Sequence, residues 1–79
     1  MKVEIITPDS KLFAGMVKSV TVPSKQGPFT LLEHHAAIVA ILEAGKICLT
    51  EESGESREFA IKGGFCENHD NTLIVCAEI

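Results

Sequence analysis

The sequence predicts an all-β fold, a sandwich or barrel of many short strands. Turn signals recur roughly every eight residues along the chain. The runs between them are β-rich and alternate apolar with polar residues at period two, as a half-buried strand requires. At 79 residues the chain makes one small domain, single from 1 to 79, with no repeat, linker or low-complexity segment.

The elements follow in order. Val3–Thr7 reads as a strand closed by the Thr7-Pro8-Asp9-Ser10 turn, where proline presets φ. Met16–Val22 is the next strand, and its apolar parity shifts between Val17 and Val20, which predicts a bulge near Lys18 or Ser19. Pro23 to Pro28 is a loop bounded by two prolines that cannot donate to a ladder. In Lys46–Glu51, Ile47 and Leu49 face one way and Lys46, Cys48 and Thr50 the other. In Arg57–Lys62, Phe59 and Ile61 alternate with Glu58, Ala60 and Lys62. Phe65–Asn68 and Thr72–Ala77 are the last two strands. Glu52-Ser53-Gly54-Glu55 and His69-Asp70-Asn71 are polar hairpin turns between strands. The pair Gly63-Gly64 marks a sharp turn or a close approach of backbones. The expected core is Phe13, Val20, Val22, Leu31, Ile47, Leu49, Phe59, Ile61, Leu73 and Val75.

Ala36 to Ala44 conflicts with this pattern. It is rich in alanine and leucine and ends at Gly45, which suits a helix with its cap. Ile38, Val39 and Ile41 are β-branched and favour a strand. Two segments are also apolar on both faces. In Thr72–Ala77, Leu73, Val75 and Ala77 point one way and Ile74 and Cys76 the other, while Ile38–Leu42 has no polar residue. A two-layer sandwich buries one face of each sheet, so either these strands are covered or bulged, or a partner protein buries their outer face.

Composition excludes several classes of function. A net charge of −4 with scattered Lys and Arg argues against nucleic acid or an anionic membrane surface. No apolar run approaches the ~20 residues of a membrane span, and the N-terminus lacks a signal-peptide pattern. Cys48, Cys66 and Cys76 are odd in number and lack paired spacing, which fits a reducing, cytosolic compartment better than a disulfide framework. His34 and His35 are adjacent, so on a strand they point to opposite faces and make a poor pair of metal ligands. Neither GxGxxG nor GxxxxGK[ST] occurs, so no phosphate cradle, catalytic residue or cofactor is expected. So short a chain can scarcely wall an active-site pocket, and a non-enzyme is expected.

The order of motifs resembles the N-terminal domain of the epsilon subunit of F-type ATP synthases, over essentially the whole chain. The residues concerned are a strand ending in Thr7-Pro8, then Leu12-Phe13-Ala14-Gly15-Met16-Val17 and Val20-Thr21-Val22-Pro23. Gly27-Pro28-Phe29-Thr30-Leu31-Leu32 and Glu33-His34-His35-Ala36-Ala37-Ile38 stand where the family has its glycine loop, Phe-Gly step and Pro-Gly-His-Ala-Pro-Leu turn, and Glu43-Ala44-Gly45 where it has Lys-Pro-Gly. Phe59-Ala60-Ile61-Lys62-Gly63-Gly64-Phe65-Cys66-Glu67 is the clearest match, followed by Asn71 to Glu78. Glu33-His34 replaces the family's Pro-Gly, which puts the backbone of that turn in question, and Ala37 replaces a proline.

The resemblance implies a two-sheet β-sandwich of about ten strands at the foot of the rotating central stalk. It makes Ile38–Leu42 a strand. It also implies a noncatalytic subunit that couples c-ring rotation, and with it proton flow, to the gamma subunit. The protein would lie on the cytoplasmic face of the bacterial inner membrane, peripheral through its protein partners. By position, Ser24, Lys25, Gln26, Gly27 and Pro28 match the c-ring-facing loop, and His35 and Ala36 match residues near the gamma contact. The family's C-terminal helical hairpin, the seat of inhibition and ATP sensing, has no counterpart before Ile79, so a short form that couples without inhibiting is expected. Two other classes compete. An all-β prosthetic-group carrier would use Lys25, whose flanks Ser24 and Gln26 do not match that motif, and a small thiol or zinc protein would use the cysteines and histidines.

Overall fold

Six strands make up the computed structural model, which describes residues 1–79: β1 (Lys2–Ile6), β2 (Lys11–Val22), β3 (Phe29–Leu32), β4 (Ile38–Glu51), β5 (Ser56–His69) and β6 (Thr72–Glu78). There is no helix. The sheet runs β1-β6-β5-β4-β2-β3, and β1 also pairs with β2, so the ladder closes on itself with β3 hung on β2. Only β1 and β6 run parallel.

The expected two-layer β-sandwich is present, but about ten short strands resolve into six, because β2, β4 and β5 each serve both layers. Their inward parity changes partway along. In β2, Phe13 and Val17 point inward, then Val20 and Val22. In β4, Leu42 is followed by Ile47 and Leu49; in β5, Ile61 is followed by Cys66 and Asn68. Side chains alternate strictly along a strand, so each change of parity marks where the strand turns from one layer into the other. In β2 the device is the predicted bulge: Val17 faces Glu51 and Ser19 faces Thr50, leaving Lys18 as the extra residue.

In β4 and β5 the crossing lies at Gly45 and Gly63-Gly64. Of the two roles expected for the glycine pair, a turn is excluded, since Arg57–Lys62 and Phe65–Asn68 belong to one strand. Close approach is the role. Gly64 has φ +145°, and a Cβ there would lie 2.1 Å from the carbonyl oxygen of Cys76 on β6.

The β4–β5 ladder runs in unbroken register from Ile38 opposite Asn68 to Thr50 opposite Ser56. That ladder decides the Ala36–Ala44 conflict: Ile38 onward is strand, since pairing with β5 from Ile38 to Thr50 outweighs the weak helical preference of Ala and Leu. Of the expected core, only Phe59 is half-buried; it packs at the core's margin with its ring 5.9 Å from that of Phe13. Met1, Val3, Ile5, Val17, Leu42, Cys66 and Ala77 complete the core.

Candidate functional site

The Ser24–Pro28 loop is built as a rigid turn. Pro23 and Pro28 fix its ends, Ser24 is buried, and its carbonyl accepts from Gly27 N–H at 2.9 Å while its Oγ accepts from Gln26 N–H at 3.2 Å. The loop is also stitched to β4. Lys25 N–H donates to Ile41 C=O at 2.9 Å and Glu43 N–H to Pro23 C=O at 2.8 Å, around an antiparallel bridge between Ser24 and Leu42. Lys25, Gln26 and Pro28 project into solvent. Between the loop, Phe29 and Ile38–Ile41 lies a groove of about 550 Å³.

His35 and Ala36 lie in the exposed β3–β4 connection, and His35 borders a separate, shallow depression. Asn68, buried in β5, anchors them: its Nδ2 donates to the carbonyls of His35 at 3.1 Å and Ala36 at 3.2 Å. His34, His35 and His69 all border this depression beside Asp70, yet no three acidic, His or Cys side chains of the chain converge in a metal-binding geometry.

The turn that lacks the family's Pro-Gly keeps a left-handed residue at the glycine position: His34 has φ +60°. It is held there because His34 N–H donates to Asn71 Oδ1 at 2.8 Å. Asn71 Nδ2 in turn donates to Glu33 Oε2 at 2.9 Å, and the Met1 ammonium pairs with Glu33 Oε1. A side chain in this region costs about 1 kcal/mol or more relative to glycine. His34→Gly should therefore raise stability by about 1 kcal/mol in urea unfolding, with the Asn71 contact retained.

The same network sets an acid dependence. The hydrogen bond from the Met1 ammonium, then that from Asn71, holds the Glu33 carboxyl below the usual carboxylate range. A carboxyl whose pKa is lower folded than unfolded adds stability above its unfolded pKa and loses it as pH falls through the folded value. Stability of the native chain should thus decline on acidification below about pH 4.5. Glu33→Gln should lower stability at neutral pH and flatten that limb of the curve, as measured by urea unfolding between neutrality and acid.

The outer face of the β4–β5–β6 sheet is apolar and open. Ile41, Phe65, Cys76 and Ile6 stand side by side across four strands, and the next row is Val39, Glu67, Ile74 and Glu4. Val39 is 68% exposed, Ile41 57%, Phe65 48% and Ile74 40%. The two segments singled out as apolar on both faces are therefore uncovered, and they form one patch. Phe65 was not singled out because its outward direction depends on the parity change at Gly63-Gly64. Monomeric proteins seldom leave adjoining large apolar side chains open to water unless something binds there.

A closed all-β sandwich with a pinned loop and an uncovered apolar sheet face is the form of a docking domain. The chain belongs to the family described as ATP synthase, Delta/Epsilon chain, beta-sandwich domain, whose model matches residues 1–79. It is 36% identical over 77 residues to the ATP synthase epsilon chain of Chlorobium limicola, covering 98% of this chain and 88% of that one. It is 32% identical over 77 residues to the epsilon chain of Dichelobacter nodosus, covering 98% of this chain and 54% of that one. The chain thus spans about half the length of several curated relatives. In solved structures, it is similar to a chain of the Euglena gracilis mitochondrial ATP synthase OSCP/F1/c-ring assembly, at TM-score 0.86 and 20% identity, covering 95% of this chain and 48% of that one. A chain of the Tetrahymena thermophila mitochondrial ATP synthase central stalk and c-ring gives TM-score 0.81 at 22% identity, covering 100% and 63%. At those identities the likeness is one of fold. Family membership displaces the prosthetic-group carrier and thiol or zinc readings.

Proposed function

We propose that this chain is a noncatalytic central-stalk component of a rotary ATP synthase, coupling c-ring rotation to the gamma subunit. The observation that carries the reading is the uncovered apolar face of Val39, Ile41, Phe65 and Ile74 on a domain of this family. A coupling element must hold two partners at once, and the fold offers two distinct surfaces for that. The gamma subunit would take the apolar face together with His35 and Ala36, which lead directly into Val39 and Ile41. The c-ring would meet Ser24, Lys25, Gln26, Gly27 and Pro28. Because that loop is already fixed by its prolines and its bonds to β4, little conformational freedom is lost on docking. Attachment at the cytoplasmic face of the inner membrane would run through these partners; no helix is long and apolar enough to cross a membrane.

The paired change Lys25→Glu and Gln26→Glu tests the loop's part. Both side chains are exposed, so the melting temperature should hold while c-ring attachment weakens about tenfold, or about 1.4 kcal/mol. Unaltered attachment and coupling in a reconstituted complex would take the loop out of the interface.

A further inference from the structure

We infer that the open edge of β4 at Val39–Ile41 takes up a short extended segment of a partner protein, apolar with one acidic residue, as an added strand beside the Ser24–Pro28 loop. Along Ile38–Leu42, β5 is the only strand paired with β4, the Ser24–Leu42 bridge aside, and pairing with β2 begins only at Cys48. Successive residues of a strand direct their N–H and C=O groups to opposite edges. Ile41 C=O and Glu43 N–H bond to the loop, so the odd-numbered residues here point away from β5. Val39 N–H, Val39 C=O and Ile41 N–H therefore lie on that edge, and none of them bonds to the loop or to any side chain. Sheet edges are ordinarily guarded by lysine, proline or a bulge. Ala36 to Leu42 carries none of these, and its register with β5 is regular.

The groove selects the occupant. Pro23, Ser24 and Lys25 already lie along β4 as the first piece of an added strand, and the groove continues their line past Val39, with Phe29 and Ile38 offering apolar contact. Lys25 is the one charged residue of its lining, it joins none of the chain's ion pairs, and it stands at the end where Ile41 N–H is free. A lone cation beside a free N–H is complementary to a carboxylate. A second copy of this chain fits worse. Antiparallel pairing centred on Val39 would set the copy's Ala37 opposite Ile41, where Lys25 already bonds.

The inference engages Val39, Ile41 and Lys25, which the stalk reading also uses, but its test needs no stalk protein, so the two fail separately. The probes are two blocked pentapeptides of alternating valine and threonine, with aspartate at the first or the last position. They are titrated into the 15N-labelled chain while amide shifts and hydrogen exchange are followed. One peptide should shift the Val39, Ile41 and Lys25 amides and slow exchange at Val39 at least tenfold. Lys25→Glu, or N-methylation of the peptide bond that pairs with Val39, should weaken binding about tenfold. Shifts confined to Phe65 and Ile74 with unchanged exchange at Val39 would overturn the inference, placing the peptide on the sheet face. So would no shift at about 1 mM peptide, or protection of Val39 that grows with protein concentration alone, which would mean a second copy.

Discussion

Gly64→Ala should cost at least about 3 kcal/mol of stability, a large share of what a domain of this size has. The added Cβ would sit 2.1 Å from Cys76 C=O and 3.0 Å from Ala77 Cα, and both obstacles are backbone. The φ of +145° adds strain of roughly 1–3 kcal/mol for any side chain. Relief requires moving β5 away from β6 where Gly64 faces Ala77, beside the buried Val75 and Ala77. A 79-residue domain has roughly 4–12 kcal/mol in total, so the melting temperature should fall by more than about 12 °C. Gly63→Ala is the control: its Cβ would meet only Leu42 C=O, at an ordinary 3.5 Å. A loss below about 1 kcal/mol at Gly64, or equal losses at both glycines, would contradict the close-approach account.

Phe65→Glu should leave the fold almost untouched and weaken stalk docking by about 2 kcal/mol, or roughly thirtyfold. The ring is 48% exposed and sits between Ile41 and Cys76 in the outward row, so the variant places a carboxylate at the centre of the apolar face. Burying that charge without a partner opposes association. Surface changes of this kind move stability by about 0.5 kcal/mol, so unfolding in urea separates a docking defect from a folding defect. Binding as tight as that of the unaltered chain would mean that this face stays in water in the assembly.

Much of this architecture is legible in the sequence because it rests on local alternation. The period of two in Lys46–Glu51 and Arg57–Lys62 and the parity slip after Val17 yield strands, faces and a bulge without any long-range information. What stays hidden depends on residues far apart. Ile38–Leu42 is a strand because β5 pairs with it, and the composition of Ala36 to Ala44 alone does not decide between helix and strand. Whether Gly63-Gly64 is a turn or a close approach is decided only once β4 and β6 are placed against it. The Met1, Glu33, His34 and Asn71 network joins segments more than thirty residues apart, and no local pattern announces it. The candidate surfaces divide in the same way. Ser24 to Pro28 is visible as a proline-bounded loop, whereas its alignment along β4 and the join of Phe65 to Val39, Ile41 and Ile74 emerge only from the register.

The most direct measurement is titration of the 79-residue chain into a central-stalk complex of gamma subunit and c-ring that lacks its own epsilon sandwich, with hydrogen exchange followed on the chain. The account predicts saturable one-to-one binding that slows exchange in β4, β5 and β6 around Ile41, Phe65 and Ile74, and that Phe65→Glu weakens. Absence of saturable binding at roughly 10 μM, or tight binding that leaves exchange in those strands unchanged, would contradict it.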